Sequence, residues 1–166
     1  MIASCTAGFV AGAISSLKRL AGKDFSEMAR KPQTAANLKK KAAELLQRYV
    51  RMKAADSNGI CECVSCGKRD SWKAMDGGHF ISRTYTFHML REENVHPQCK
   101  RCNRFFTGCH DDYRRYMVEM YGEDFVEWLT DTKRTITKYT RADLLAIIAE
   151  LKQGIKDQEM RLAFAD

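Results

Sequence analysis

Six of the seven cysteines and all four histidines of this 166-residue chain lie between residues 60 and 110. Four of those cysteines form two C-x-x-C pairs, Cys63-Val-Ser-Cys66 and Cys99-Lys-Arg-Cys102, with 32 residues between them. Thiolates at this spacing in a tight knuckle both point at one tetrahedral centre about 2.3 Å away, the geometry zinc asks for. An odd cysteine count with no secretion signal argues against a disulfide framework. The four are therefore assigned to one structural zinc. Cys61 competes with Cys63, but only Cys63 gives both halves the same spacing. Cys5 and Cys109 read as ordinary small residues, buried or partly so.

Between the knuckles stand Asp76, His79, Arg83, His88, Arg91, Glu92, Glu93, Asn94, His96 and Gln98, with too little apolar material to fold by core packing alone. Zinc supplies the missing stabilisation, since structural sites contribute about 10–16 kcal/mol of apparent binding free energy. A purely structural staple has no need of so many bases and ligands. Their density suits phosphodiester hydrolysis. That reaction needs a base for water, a divalent cation on the phosphate oxygens and cations for the backbone. His79, after the flexible Asp76-Gly-Gly, can present an imidazole whose usual pKa near ~6.5 suits a base. Asn103 follows Cys102 directly, so a metal knuckle fixes its backbone and can aim its amide oxygen. Asn94 can pin the loop between them. Asn and Asp oxygens suit Mg²⁺ or Mn²⁺ rather than a second zinc. His96 reads as an alternative metal-shell residue or as loop scaffolding, and His88 and His110 as surface residues.

The elements that must carry these groups are legible in outline. Thr34 to about Ala55 predicts a helix with Leu38, Leu45, Leu46, Tyr49, Val50 and Met52 on one face, ended by Asp56-Ser-Asn-Gly59. Short strands and turns follow to Phe80, then an irregular stretch to Val95, and a helix begins near Gln98 inside the second knuckle. Helices are expected over 111–121 and 123–131. Thr140-Arg-Ala-Asp143 is a capping box opening a last helix to about Ala163. Tyr113, Tyr116, Tyr121, Phe125 and Trp128 read as helix-packing core. The expected fold is α+β and mostly helical, in three segments. These are an apolar arm and basic helix (1–56), a zinc-stapled core (57–121) and C-terminal helices (122–166).

The formal charge is +7, and it is concentrated. Lys18 to Lys53 hold eleven bases against three acids, residues 57–121 ten against eight, and residues 122–166 seven against nine. A basic arm on a near-neutral body points to a polyanion, with Lys39, Lys40 and Lys41 as candidate nucleic-acid contacts. The opening MIASCTAGFVAGAISS is small and apolar but lacks the basic start of a signal peptide. No apolar run approaches the roughly 18 residues of a membrane span, so no membrane partner is expected.

The order C-x-x-C, Gly78-His79, Asn94, C-x-x-C-Asn103 resembles the zinc-stapled HNH endonucleases, whose fold is the ββα-metal motif. More closely, Arg51 to about Tyr121 resembles the NinG (Rap) recombination proteins of lambdoid phages. That resemblance is carried by Asp76-Gly-Gly-His79-Phe80, Arg83, Arg91-Glu-Glu-Asn94-Val95-His96-Pro97-Gln98-Cys99 and Cys102-Asn103-Arg104-Phe105 with Gly108. It implies a DNA endonuclease of the bacterial host's cytoplasm acting on branched intermediates such as four-way junctions. His79 would be the base, and Asn103 would hold Mg²⁺ or Mn²⁺ with Asp76. Asn94 would orient the loop, and Arg83, Arg91, Arg101 and Arg104 would be available to phosphates. Many HNH nucleases place a metal-ligating Asp or His directly before the base, where this chain has Gly78. Asp76, a water or Glu93 then completes the metal's shell. Two symmetric cuts in a junction imply a homodimer, with the helices at 34–55 and 141–163 as its surfaces. A non-catalytic zinc-containing DNA-binding accessory and a sequence-selective HNH nuclease are the alternatives.

Overall fold

The computed structural model describes residues 33–164; the apolar arm, Cys5 and the basic stretch from Lys18 to Lys31 lie outside them. The described order is α1 (Ala35–Lys53), β1 (Ile60–Glu62), β2 (Arg69–Ser71), β3 (Asp76–His79), β4 (Val95–Gln98), α2 (His110–Tyr121), α3 (Glu123–Asp131) and α4 (Arg141–Ala163). The fold is mixed α+β and mostly helical, with two small two-stranded sheets. No described helix is long and apolar enough to cross a membrane.

Helix α1 starts where the Thr34 hydroxyl accepts the Asn37 amide at 3.3 Å. It ends before Asp56, whose carboxylate accepts the amides of Asn58 and Ile60. Leu38, Ala42, Leu45 and Met52 pack on Leu144, Ile148 and Ile155 of α4. The Thr140–Asp143 capping box opens α4 as its spacing predicts. Near the far end Arg161 donates to the carbonyls of Met52 (2.7 Å) and Ala55 (2.9 Å) and so ties α4 to the end of α1. The apolar stripes of the two helices thus lie on one another within the chain.

The neighbouring side of the same apolar face of α1 backs a β-ribbon, with Leu46 and Val50 against Val95. Strands β3 and β4 pair antiparallel, Asp76 facing Gln98, Gly77 facing Pro97, Gly78 facing His96 and His79 facing Val95. Asp76-Gly-Gly is thus strand and not the flexible turn its composition suggests. Its glycines answer to space. A Cβ at Gly77 would lie 2.7 Å from Gln47 Cβ and 2.9 Å from Gln47 Cα, and one at Gly78 only 2.0 Å from Gln98 Oε1.

The helix expected from Gln98 is interrupted. Strand β4 runs through Gln98, a π-helical turn occupies Arg101–Phe105, and Thr107, Gly108 and Cys109 all have positive φ (48°, 92° and 45°) before α2 begins. Three left-handed residues in a row reverse the chain, so no single helix can pass through the second knuckle. Thr34–Asp166 forms one compact unit.

The Gly77 contact with α1 is backbone-deep and has no flexible side chain to yield. Gly77→Ala is expected to cost about 1–3 kcal/mol, read as a lower urea midpoint at unchanged m-value. A variant as stable as the parent would show that α1 does not lie this close to β3.

Candidate functional site

The Sγ atoms of Cys63, Cys66, Cys99 and Cys102 all lie within 4.8 Å of one another. Cys66 and Cys99 sulfurs stand 3.8 Å apart, close to the edge of a tetrahedron with its centre about 2.3 Å from each corner. Backbone turns impose this. Gly67 donates to Cys63 O (2.9 Å), Cys63 donates to Lys68 O (2.9 Å) and Asn103 donates to Cys99 O (3.0 Å). These four residues could hold a metal ion such as zinc. Cys61 stays outside the group, buried in β1, where burial pushes its thiol up to about 11. Cys109 is partly buried against the cluster that contains Cys61, Cys63, Cys99 and Cys102.

A cleft of about 710 Å³ opens alongside, lined by Asp76, His79, Asn103, Arg104, Arg83, His110 and Lys133 among others. Asp76 enters it from the start of β3 and His79 from the end, while Asn103 and Arg104 enter from the π-helical turn. Asn103 Nδ2 donates to Asp76 Oδ2 at 3.0 Å. Arg104 makes a bidentate pair with the same carboxylate, Nε to Oδ2 at 2.7 Å and Nη2 to Oδ1 at 2.8 Å. Burial raises the Asp76 carboxyl, but its bonds from Arg104 and Asn103 outweigh that and hold it below the usual carboxylate range. It is ionised at neutral pH.

His79 is half-buried, and its Nε2 lies 3.2 Å from the Met89 carbonyl. A carbonyl can only accept, so Nε2 carries the proton and Nδ1 keeps its lone pair. Burial, with the Arg83 charge adding to it, holds the imidazole below its ordinary pKa. A ring that is neutral at pH 7 with one basic nitrogen is equipped to take a proton. Among the described charged groups of the cleft, three cations (Arg83, Arg104 and Lys133) face one carboxylate, a balance that favours an anionic ligand.

Asn94 is fully buried. Its Oδ1 accepts the Ile81 amide (2.7 Å) and its Nδ2 donates to the carbonyls of Ile81 (2.9 Å) and His88 (3.0 Å). It clamps both ends of the loop that carries Met89, and through Met89 it acts on His79. His96 is neither a metal-shell nor a loop residue but part of β4. Tyr113 donates to Gly78 O (3.0 Å), so His96 Nδ1 donates to Tyr113 Oη (3.0 Å) and His96 Nε2 accepts from Tyr121 Oη (3.0 Å). Burial lowers its pKa to about 4. His88, expected at the surface, is fully buried with Nε2 on Thr132 Oγ1 at 2.9 Å. The loop from Phe80 has to fold over something, and His88 is among the side chains it folds inward.

A family model described as Bacteriophage Lambda NinG protein matches residues 18–160. The chain belongs to the NinG family. It is 32% identical over 121 residues to the protein NinG of Salmonella phage P22, covering 71% of this chain and 56% of that protein. It is 29% identical over 120 residues to the protein NinG of Escherichia phage lambda, covering 71% and 55%. The chain thus spans about half the length of these NinG relatives. No solved structure matches it.

The NinG match includes every cleft residue named above. Of the basic residues read from sequence, Arg83 and Arg104 line the cleft, while Lys40 and Lys41 lie exposed on α1 with Lys39 less so. Arg91 does not reach the cleft. Its guanidinium lies 5.3 Å from the Phe87 ring centre and 5.0 Å from that of Trp128. Arg101 is exposed over Phe106 at 4.9 Å. Of the two carboxylates weighed against Gly78, Asp76 lines the cleft and Glu93 does not. Lys133 was missed, since no local pattern marks it and only packing brings it to the cleft; His110 is exposed, as read from sequence, and lines the cleft from the start of α2.

The caged His96 ring makes stability pH-dependent. Its folded pKa lies below the ordinary 6.5, so its contribution is complete above that value and is lost as pH falls towards 4. The loss expected from this ring is on the order of 3 kcal/mol. Urea unfolding at pH 7, 6, 5 and 4 should show this fall. His96→Gln should be less stable at pH 7 but shallower in slope, whereas an equal slope would assign the acid sensitivity elsewhere.

Proposed function

We propose that this NinG-family chain is a metal-dependent DNA endonuclease of the zinc-stapled HNH type, hydrolysing phosphodiester bonds in branched recombination intermediates such as four-way junctions. One observation carries the reading. Asp76 and His79 from the two ends of β3 and Asn103, 24 positions beyond His79, line one cleft with a basic rim. The antiparallel β3–β4 ribbon leading into the turn that holds Asn103 supports a ββα-metal frame. The four sulfurs support zinc as its staple. The branched substrate and the recombination setting rest on the family resemblance.

In this mechanism His79 Nδ1 takes a proton from water as the water oxygen attacks phosphorus. Nε2–H stays on the Met89 carbonyl, which keeps the ring from turning and stabilises the imidazolium that forms. The Asp76 carboxylate and the Asn103 amide oxygen would hold Mg²⁺ or Mn²⁺, ions that prefer oxygen donors. Such an ion supplies charge stabilisation at the phosphate oxygens and the departing 3′-oxygen. Arg104 is exposed, so its guanidinium can turn from Asp76 to a phosphate, where Arg83 and Lys133 also reach the backbone. The product carries a 5′-phosphate. Two symmetric cuts call for a homodimer on the junction.

A second reading, a DNA-binding recombination accessory without catalysis, is favoured by the pairing of both Asp76 oxygens with Arg104. Cleavage of a labelled four-way junction and of matched linear duplex, with Mg²⁺, Mn²⁺ or EDTA, separates the two. Metal-dependent cutting of the junction, reduced about 10²–10⁴-fold in His79→Ala with binding retained, is the expected result. Binding without cutting in any metal would leave the accessory reading, and equal cutting of duplex would remove the junction preference. Metal analysis should find about one zinc per chain, lost together with the folded state in Cys63→Ser and Cys102→Ser.

A further inference from the structure

Two of the largest exposed apolar side chains sit where a soluble fold has least reason to place them. Phe105 is 79% exposed and its neighbour Phe106 49%. They follow one another on the turn between β4 and α2, bracketed by Arg104 and Thr107, which both line the cleft. Scattered single apolar residues at a surface need no explanation, but adjacent aromatic rings beside a cleft with an excess of positive charge do.

The turn that holds them is braced. Phe106 donates to Arg101 O (3.1 Å), Gly108 donates to Cys102 O (2.9 Å), and the Gly108 carbonyl accepts Nε2 of the fully buried Gln98 (2.7 Å). Thr107 and Cys109 take left-handed conformations that only surrounding structure can maintain. The rings are therefore presented rather than left over. Their surroundings are cationic. Lys100, Arg101 and Arg104 stand exposed on the same turn, and the Arg101 guanidinium lies 4.9 Å from the Phe106 ring centre.

Exposed aromatic faces among basic residues are the combination that holds unpaired nucleobases. The rings stack on the bases while the cations follow the phosphates. A base inside a duplex already has stacking partners on both sides and gains nothing from such a surface. We propose that the Phe105–Phe106 pair is a stacking shelf for an unpaired or unstacked nucleobase of the DNA strand whose backbone occupies the cleft. The shelf gives the chain a reason to prefer branch points and single strands. It rests on the nucleic-acid reading above and adds a specificity element to it.

The test is binding in EDTA, where no cutting occurs, by the intact chain and by Phe105→Ala, Phe105→Trp and Phe106→Ala. The ligands are a four-way junction, a single strand and a matched duplex, with 2-aminopurine at the branch or in mid-strand. Loss of one stacked base should weaken binding to junction and single strand on the order of tenfold, with duplex binding unchanged and Phe105→Trp restoring it. The 2-aminopurine fluorescence should change on binding the parent and not on binding Phe105→Ala. Equal loss on all three ligands, or none on any, would overturn the shelf while the parent's binding keeps the DNA reading. No binding by the parent to any DNA would overturn both. A parent dimer that becomes a monomer in Phe105→Ala, without the ligand-selective loss, would make the rings a contact between copies and overturn the shelf.

Discussion

The gathering of four sulfurs within 4.8 Å is the constraint from which the rest of the described structure follows. It joins residues 63–66 to residues 99–102 and so closes a loop that contains β2, β3, the stretch from Phe80 to Asn94 and β4. Little of that loop has an apolar face of its own. With both knuckles held, β4 arrives at a fixed place, β3 pairs along it, and His79 is set by its register opposite Val95. Asn103 is set from the other direction, one residue after Cys102. The two halves of the cleft are thus referenced to the same four atoms, although 24 positions separate His79 from Asn103.

What the sulfurs leave undetermined is settled by buried polar groups. Asn94 clamps Ile81 and His88 through three bonds, and His96 links Tyr121 to Tyr113 and onward to the Gly78 carbonyl. Gln98 ties Ser65 near the first knuckle to Gly108 beyond the second. Its Oε1 has no bonding partner and lies against the Gly78 backbone, where only a residue without a Cβ leaves it room. Such networks specify one arrangement because each alternative strands a polar group away from water. A side chain at Gly78 would collide with that of Gln98, so in the proposed mechanism Asp76 would supply the carboxylate for the metal.

The parts of the fold that were legible in sequence are those with local causes. Thr34, Thr140 and Asp143 cap helices by chemistry contained within four residues, and the apolar spacing of α1 and α4 marks their buried faces. The cysteine pairs were legible because a metal knuckle is itself a local motif. The misreadings have non-local causes. Asp76-Gly-Gly carries turn composition, but its glycines are required by Gln47 and Gln98, which lie elsewhere in the chain. His88 and Arg91 carry polar surface chemistry, yet His88 is enclosed beside Trp128 and Arg91 lies over that ring. The left-handed run at residues 107–109 has one glycine, and nothing in the types of Thr107 and Cys109 announces it.

The Asp76–Arg104 pair bears on how the cleft would change on taking a ligand. Arg104's side chain is 60% exposed and that of Asp76 15%. An ion pair with one partner in water contributes little, since solvent screens the charge and ordering a long side chain costs entropy. Removing Arg104 from Asp76 is therefore cheap, while leaving the half-buried carboxylate without a counter-charge is not. The pair resolves both demands. In the absence of another cation the guanidinium neutralises Asp76 and keeps it ionised. In the proposed mechanism Asp76 would hold a divalent ion instead, and the freed guanidinium would already stand in the cleft lining with Arg83 and Lys133, where a phosphate would lie. A buried arginine could not make this exchange, and an apolar residue in its place would let the Asp76 carboxyl rise towards protonation. The exposure of Arg104 would thus allow one side chain, in the proposed mechanism, to hold Asp76 ionised and then to join the ligand.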